Sequence, residues 1–340
     1  MTPTIVYDTY WRFAAERHAV FHRRLAGALS PWTSDPILRA FRFTNAYRAC
    51  DRVSQYLIRE IQYHPDRSQD PSELFFRTLL FKLFNRIETW QVIEETLGPI
   101  VWKHLNLEKL AQVLDGLAKR GAQIYSSAYI MPSPPLGHLR KCSNHLALLV
   151  QMMNDRAPDR ICQAQSLRAV YETMLGYPGL GPFLAFQYAI DLNYSAMLNF
   201  HESDFVVAGP GALDGIFKCF AKMHKRSAED VIYWMTDRQD LEFNRLGLPF
   251  NGLFGRPLQP IDCQNLFCEI SKYSRIAHPE IRGVAHRHRI KRLYRPDPRP
   301  LPPPSFPPRW GLATPGKVGG QPLGTSRDVA AQLLSRNNCR

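Results

Sequence analysis

In the segment spanning residues 175–192, Gly179 and Gly181 flank Leu180, with Tyr177 and Pro178 before them and an apolar stretch after them. Glycines so placed allow positive φ and a close approach of the backbone to a phosphate. Leu180 can anchor the turn in a core. The helix that follows offers free amides and its positive dipole end. The chemistry is capture of a phosphate by backbone, although an ordinary Pro-Gly corner between two helices reads the same way. A second set is Arg48, Asp51 and Arg52, whose spacing of three and four puts them on one helical face. A third is the run 287–292, where Arg289, Lys291 and Arg292 offer a phosphate-backbone contact, a nuclear-import-like signal or simply a solvated basic surface. Glu269, Lys272, Tyr273 and Arg275 form a further polar group at helical spacing. Cys263, Cys268, His286 and His288 are too irregularly spaced for a zinc site, and no metal or cofactor is expected.

The elements that must position these residues read as helices. Trp11, Phe13, Ala14, Phe21 and Leu25 form a helical stripe. Pro36 suits a first helical turn behind Ser34 or Asp35 as cap. Phe43, Tyr47, Cys50, Leu57 and Ile61 recur at spacings of three, four or seven, which predicts one amphipathic helix ending near His64-Pro65. Asp70-Pro71-Ser72-Glu73 predicts another helix start, with Glu73 reaching back to the cap. The run 74–90 is apolar over so wide a face that it should be buried. Further helices are expected near 107–120, 139–153 and 164–175. Strands are scarce, the best extended piece being Phe205-Val206-Val207.

The formal charge is +13, which favours polyanionic partners, nucleic acid above all. Residues 282–340 hold 12 Lys and Arg against two acids, leaving only about +3 for the rest. Eight of the 13 residues 296–308 are proline, so 296–340 is expected to be an extended, disordered basic tail outside a folded unit of 1–295. The tail holds a near-match to a phosphate loop at 311–318, discounted because Val318 replaces the magnesium-binding hydroxyl residue and no strand precedes it. Seven scattered cysteines without a CxxC, and a start without an apolar leader, imply reduced thiols in an intracellular protein, nuclear if eukaryotic. No run of about 18 uncharged apolar residues exists, so no membrane span is expected.

Tyr177-Pro178-Gly179-Leu180-Gly181, followed by a helix bearing Ala185, resembles the helix-hairpin-helix of the DNA glycosylase superfamily. That resemblance implies an all-α, glycosylase-like fold that binds DNA. Two departures bear on the chemistry. Phe183 stands where bifunctional glycosylases carry a lysine, so Schiff-base lyase action is not available there. Gly209-Pro210-Gly211 replaces the expected aspartate segment, with Asp204 and Asp214 nearby but out of register.

Further segments, at 11–17, 42–56, 84–90, 205–215 and 267–275, together with the hairpin, resemble the α-glutamyl/putrescinyl-thymine pyrophosphorylases, the helical domain that also accompanies 5-hydroxymethyluracil DNA kinases. The likeness runs over roughly 7–295. It implies transfer of an amine or amino acid to pyrophosphorylated 5-hydroxymethyluracil in DNA, with release of pyrophosphate, after a separate DNA kinase has acted. In that setting Arg42, Arg48, Arg52 and Arg86 are candidates to hold pyrophosphate. Asp51, Glu88 and Asp204 are candidate bases for the amine. Trp11, Tyr47 and Trp90 are candidate walls for a flipped base. Each charged residue equally fits a structural ion pair or solvated face, and each aromatic a core position. A non-catalytic DNA-binding module and a divergent glycosylase using Asp204 or Asp214 are the rival readings.

Overall fold

Asp70 opens a deeply buried helix, accepting hydrogen bonds from the backbone amides of Ser72 and Glu73 at 2.9 and 3.3 Å, with Pro71 in the first turn where no amide donor is needed. Glu73 does not reach back to this cap. Its carboxylate accepts from the backbone of Trp102 at 2.8 Å and so ties a later turn to the helix. The computed structural model describes residues 1–128, 131–297 and 299–314. The helices are α1 (Ile5–Leu25), α2 (Pro36–Ala40), α3 (Arg52–Tyr56), α4 (Pro71–Phe84), α5 (Ile87–Leu97), α6 (Leu107–Lys119) and α7 (Lys141–Asn154). They continue with α8 (Ala157–Cys162), α9 (Leu167–Leu175), α10 (Pro182–Asn193), α11 (Pro210–Cys219), α12 (Ala228–Asp237), α13 (Gln239–Arg245) and α14 (Pro260–Ala277). Two short strands, β1 (Thr2–Pro3) and β2 (Phe220–Lys222), pair antiparallel with Thr2 opposite Lys222. Phe205-Val206-Val207, the expected strand, is irregular and buried at Phe205 and Val206.

The mostly helical expectation holds, with one correction that matters for the site. Residues 43–61 are not one amphipathic helix. A 3₁₀ turn at Arg48–Cys50 gives way to extended backbone at Asp51, then to α3 and a π-helical stretch at Leu57–Gln62. The amides of this stretch go to carboxylates instead: Thr44 N–H donates to Glu269 (3.1 Å), Asn45 N–H to Asp51 (2.7 Å) and Arg48 N–H, which a helix would have turned back on residue 44, to Asp262 (2.9 Å). Arg48, Asp51 and Arg52 therefore do not share a helical face.

The apolar core is continuous from α1 through α14. The closest helix packing joins α11 to α14, where a Cβ on Gly215 would collide with the backbone carbonyl of Phe267. The α9–α10 pair packs across the turn at 176–181, which buries Leu180. Beyond α14, Ala285 N–H donates to Asp214 at 2.7 Å, and residues 292–294 bond to the backbone of 40–42. Residues 299–314, expected to lie outside the fold, run along it, with Leu301, Phe306, Trp310 and Leu312 packed against the core. Residues 315–340, including the end of the phosphate-loop near-match, lie outside the described residues.

Candidate functional site

α10 is buried on all sides, and its only carboxylate, Asp191, has no exposed surface. Leaving such a charge unpaired costs about 3–5 kcal/mol, so two cations converge on it. From the turn before α3, Arg48 donates Nη2 to Asp191 Oδ1 at 2.8 Å and Nε to Gln187 Oε1 at 2.9 Å. From α4, Lys82 Nζ lies 3.2 Å from Asp191 Oδ2 and donates to Asn85 Oδ1 at 2.7 Å. Asn85 ends α4 in the left-handed region (φ 50°), which turns its side chain back to Lys82. Gln62 Nε2 donates to the Asp191 backbone carbonyl at 2.8 Å. Burial pulls the Lys82 pKa down, against the opposing pull of Asp191.

A second layer of charge surrounds this centre. Asp262, in the first turn of α14, accepts from the backbone amides of Arg48 (2.9 Å) and Gln259 (3.1 Å). Burial, and next the nearby Glu202 charge, raise its pKa to about 7. Glu202 is itself raised by burial, with Arg256 at 3.3 Å opposing the shift. The Arg48 guanidinium lies 5.5 Å from the centre of the Tyr194 ring. Trp310 also meets the Tyr194 ring, 5.7 Å away and edge-on.

The sequence candidates divide. Arg48 sits at the centre just described. Asp51, with its carboxyl accepting from Asn45, is raised to about 6, mainly by burial and against the charges of Arg17 and Arg48. Arg52, Arg86 and Glu88 meet on the surface, Glu88 lying 3.2 Å from Arg52 and 3.5 Å from Arg86. Burial works against the Glu88 charge, but its backbone hydrogen bond and Arg52 outweigh it and hold its pKa low. Arg42 is exposed, and its backbone pairs with Arg292. Asp204 is an exposed loop residue whose amide bonds to His201. The three expected base-pocket rings are core side chains. Trp11 packs on Tyr7, Tyr10 and Phe243, Tyr47 donates to the Arg256 carbonyl at 2.7 Å, and Trp90 donates to Glu94 at 2.6 Å. Rings at helical spacing fill the core because each buries a large apolar area.

At the hairpin, Gly179 has φ +80°, and a Cβ there would stand 3.1 Å from Pro134. Gly181 does not use positive φ: it is the extended N-cap of α10 (φ −73°), with open space around it. Gly209 caps α11 in the same way, and a Cβ there would meet the Phe183 ring at 2.5 Å, so the N-terminal ends of α10 and α11 lie side by side. Two helix starts together present a positive dipole field. In the basic run Arg289 and Lys291 are exposed, while Arg292 reaches Ser127. Asp214, one of two carboxylates near the glycosylase position, is buried against Ser271, Ala285 and Lys218. Among the described residues no group of three or more His, Cys, Asp or Glu is placed to hold a metal ion, and no helix is long and apolar enough to cross a membrane.

Residues 4–283 match the model of the family described as "5-hmdU DNA kinase, helical domain". The chain belongs to that family. A 5-hmdU DNA kinase from Bacillus phage SP10 is 24% identical over 291 residues, covering 80% of this chain and 45% of that kinase. The chain thus spans less than half the length of the curated relative it matches. No solved structure matches. The family span contains Arg48, Lys82, Asp191, Glu202, Arg256 and Asp262, and residues 299–314 lie beyond it.

Sequence reasoning missed Lys82, Asp191, Gln187, Glu202 and Arg256. A usable signal existed for the first two. Lys82 interrupts a run too apolar to be anything but buried, and Asp191 does the same in the helix after the hairpin. Two charges of opposite sign inside buried helices must find each other.

Proposed function

We propose that this chain modifies 5-hydroxymethyluracil in DNA, joining an amine or amino acid to the pyrophosphorylated base and releasing pyrophosphate. The family supplies the substrate class. The observation that supports the reaction type is the exposed pair of cations, Arg52 and Arg86, sharing the single Glu88 carboxylate inside the family span. In the reaction a C–N bond forms at the methylene carbon as the C–O bond to pyrophosphate breaks. The electron pair leaves with pyrophosphate, so cations are needed at the leaving group. Arg52 and Arg86, with Arg42 earlier in the chain, serve from the surface, while Arg48 and Lys82, committed to Asp191 in the core, hold in place the elements that carry them. The proton lost by the amine passes to a carboxylate, for which Asp51, raised to about 6, is suited near neutral pH. The paired starts of α10 and α11 and the basic run at Arg289, Lys291 and Arg292 are the proposed contacts to the DNA backbone, in a helix-hairpin-helix, glycosylase-like arrangement.

The test is pyrophosphate release from DNA carrying pyrophosphorylated 5-hydroxymethyluracil, with a panel of amines. Release that requires both DNA and amine is the expected result. A second reading, a non-catalytic DNA-binding module that works beside a separate kinase, draws on the matched kinase being more than twice the length of the shared region. DNA binding without release would establish that reading instead, and appearance of abasic sites would point to a glycosylase.

A further inference from the structure

Residues 299–314 are held by few polar contacts, each of which could be exchanged for a ligand's. Gln55 pairs with both backbone groups of Ser305, donating Nε2 to its carbonyl (2.9 Å) and accepting its N–H (2.8 Å). Arg309 donates to the Ser195 carbonyl at 3.1 Å and to the carbonyl of Asn193, the last residue of α10. Next to the second anchor, Trp310 lies with the Arg256 guanidinium 4.1 Å from its ring centre and Tyr194 edge-on at 5.7 Å. Phe306, from the same segment, stacks on it at 5.9 Å with planes 19° apart.

The platform under Trp310 is rigid. Arg256 is braced by Glu202, and its carbonyl accepts from Tyr47. Its loop is too tight for a side chain at Gly252, where a Cβ would strike the Arg256 carbonyl. A fixed guanidinium face beside an aromatic edge accepts any flat π system, and nucleobases stack on such platforms without sequence preference. The platform residues lie within 4–283, whereas their occupant lies outside it. The occupant is proline-rich, has few backbone donors to lose, and keeps Phe306 and Trp310 partly exposed, so it can lift without unfolding anything beneath.

We propose that Arg256 and Tyr194 form a stacking site for an unpaired nucleobase of DNA, and that the chain's own Trp310 fills it, making residues 299–314 a displaceable strap. This rests on the reading that the chain works on DNA, and it places the base one ring away from Arg48.

The experiment is binding of a labelled, thymine-rich single-stranded oligonucleotide by anisotropy at low salt, using the full chain. Trp310→Ala and Ser305→Pro each loosen the strap, the second by removing only the N–H that Gln55 accepts. Each is expected to tighten binding by at least about fivefold. Adding Arg256→Lys, which keeps the charge facing Glu202 but loses the planar face, is expected to cancel the gain. Unchanged or weaker binding by both strap variants overturns the proposal. If Trp310→Ala fails to fold, Ser305→Pro decides alone. Pyrophosphate release, run on the same proteins, reports on the chemistry separately. A binding gain without release leaves the strap standing and removes the transferase, and release without a binding gain does the reverse.

Discussion

Arg48→Ala removes one of two cations from a carboxylate with no exposed surface. Its expected cost is about 3–5 kcal/mol of stability, measured by urea unfolding, because Asp191 is left half paired in a dry core. The sequence alone offers Arg48 both as a pyrophosphate ligand and as one half of a structural ion pair. Burial makes it a fold residue as well, so lost turnover in this variant would be uninterpretable without the unfolding curve. Glu88→Gln is the cleaner probe, since its pairs with Arg52 and Arg86 are exposed and the stability change should stay within about 0.5 kcal/mol. Asp262 gives a pH signature. Its folded pKa, about 7, lies above the ordinary carboxyl value, so the folded state binds the proton more tightly than the unfolded chain. Its contribution to stability is therefore greatest below about pH 4 and is lost as pH rises towards 7. Wild type should lose stability relative to Asp262→Asn over that window in paired thermal melts, and a constant gap would show that Asp262 does not titrate there. Residue types were legible in the sequence, but partners were not. Arg48 stands out by spacing alone, yet nothing local says that it meets residues 139 and 143 positions away.

Helix starts were the most legible elements. Asp35, Asp70 and the Gly-Pro start of α10 are chemistry written into a few adjacent residues, whereas the same signal at Gly209-Pro210, which starts α11, went unread. The 43–61 stretch was misread because its periodicity is real but its amides at Thr44, Asn45 and Arg48 are claimed by carboxylates, two of them from α14, contacts no local window contains. The hairpin separates two roles that its motif merges. Gly179→Val forces a β-branched residue into positive φ against Pro134, and is expected to cost about 1–3 kcal/mol in stability. Gly181→Ser fits its extended N-cap geometry and meets open space, so it should leave the melting temperature within a degree or two. If the start of α10 lies on DNA, bulkier Gly181 variants should weaken binding while the fold is intact. Unaltered binding would take the hairpin off the interface.

At the scale of the molecule, charge is divided between a mildly basic helical body and a strongly basic end. Arg289 and Lys291 are exposed at the start of that end. Replacing both with Ala should reduce the slope of log affinity against log salt by about 2, with little dependence on DNA sequence. An unaltered slope would mean that the run faces solvent. The total charge was plain from composition, but the docking of 299–314 was not, because proline enrichment predicts extension and is silent about what an extended segment lies on. That docking has a kinetic side. The backbone pairs with Ala40 at Tyr294, Arg24 donates to the Asp297 carbonyl at 3.5 Å, and the strap's anchor at Ser305 comes only eight residues after that. So short a leash holds Trp310 near its slot at an effective concentration on the order of millimolar. A free peptide of residues 299–314 should therefore fail to compete at micromolar levels, and a base met in passing should fail too. Only a base delivered by an already bound strand, itself at high local concentration, can win the slot, so the leash length sets the threshold at which chance encounters are told from engaged DNA.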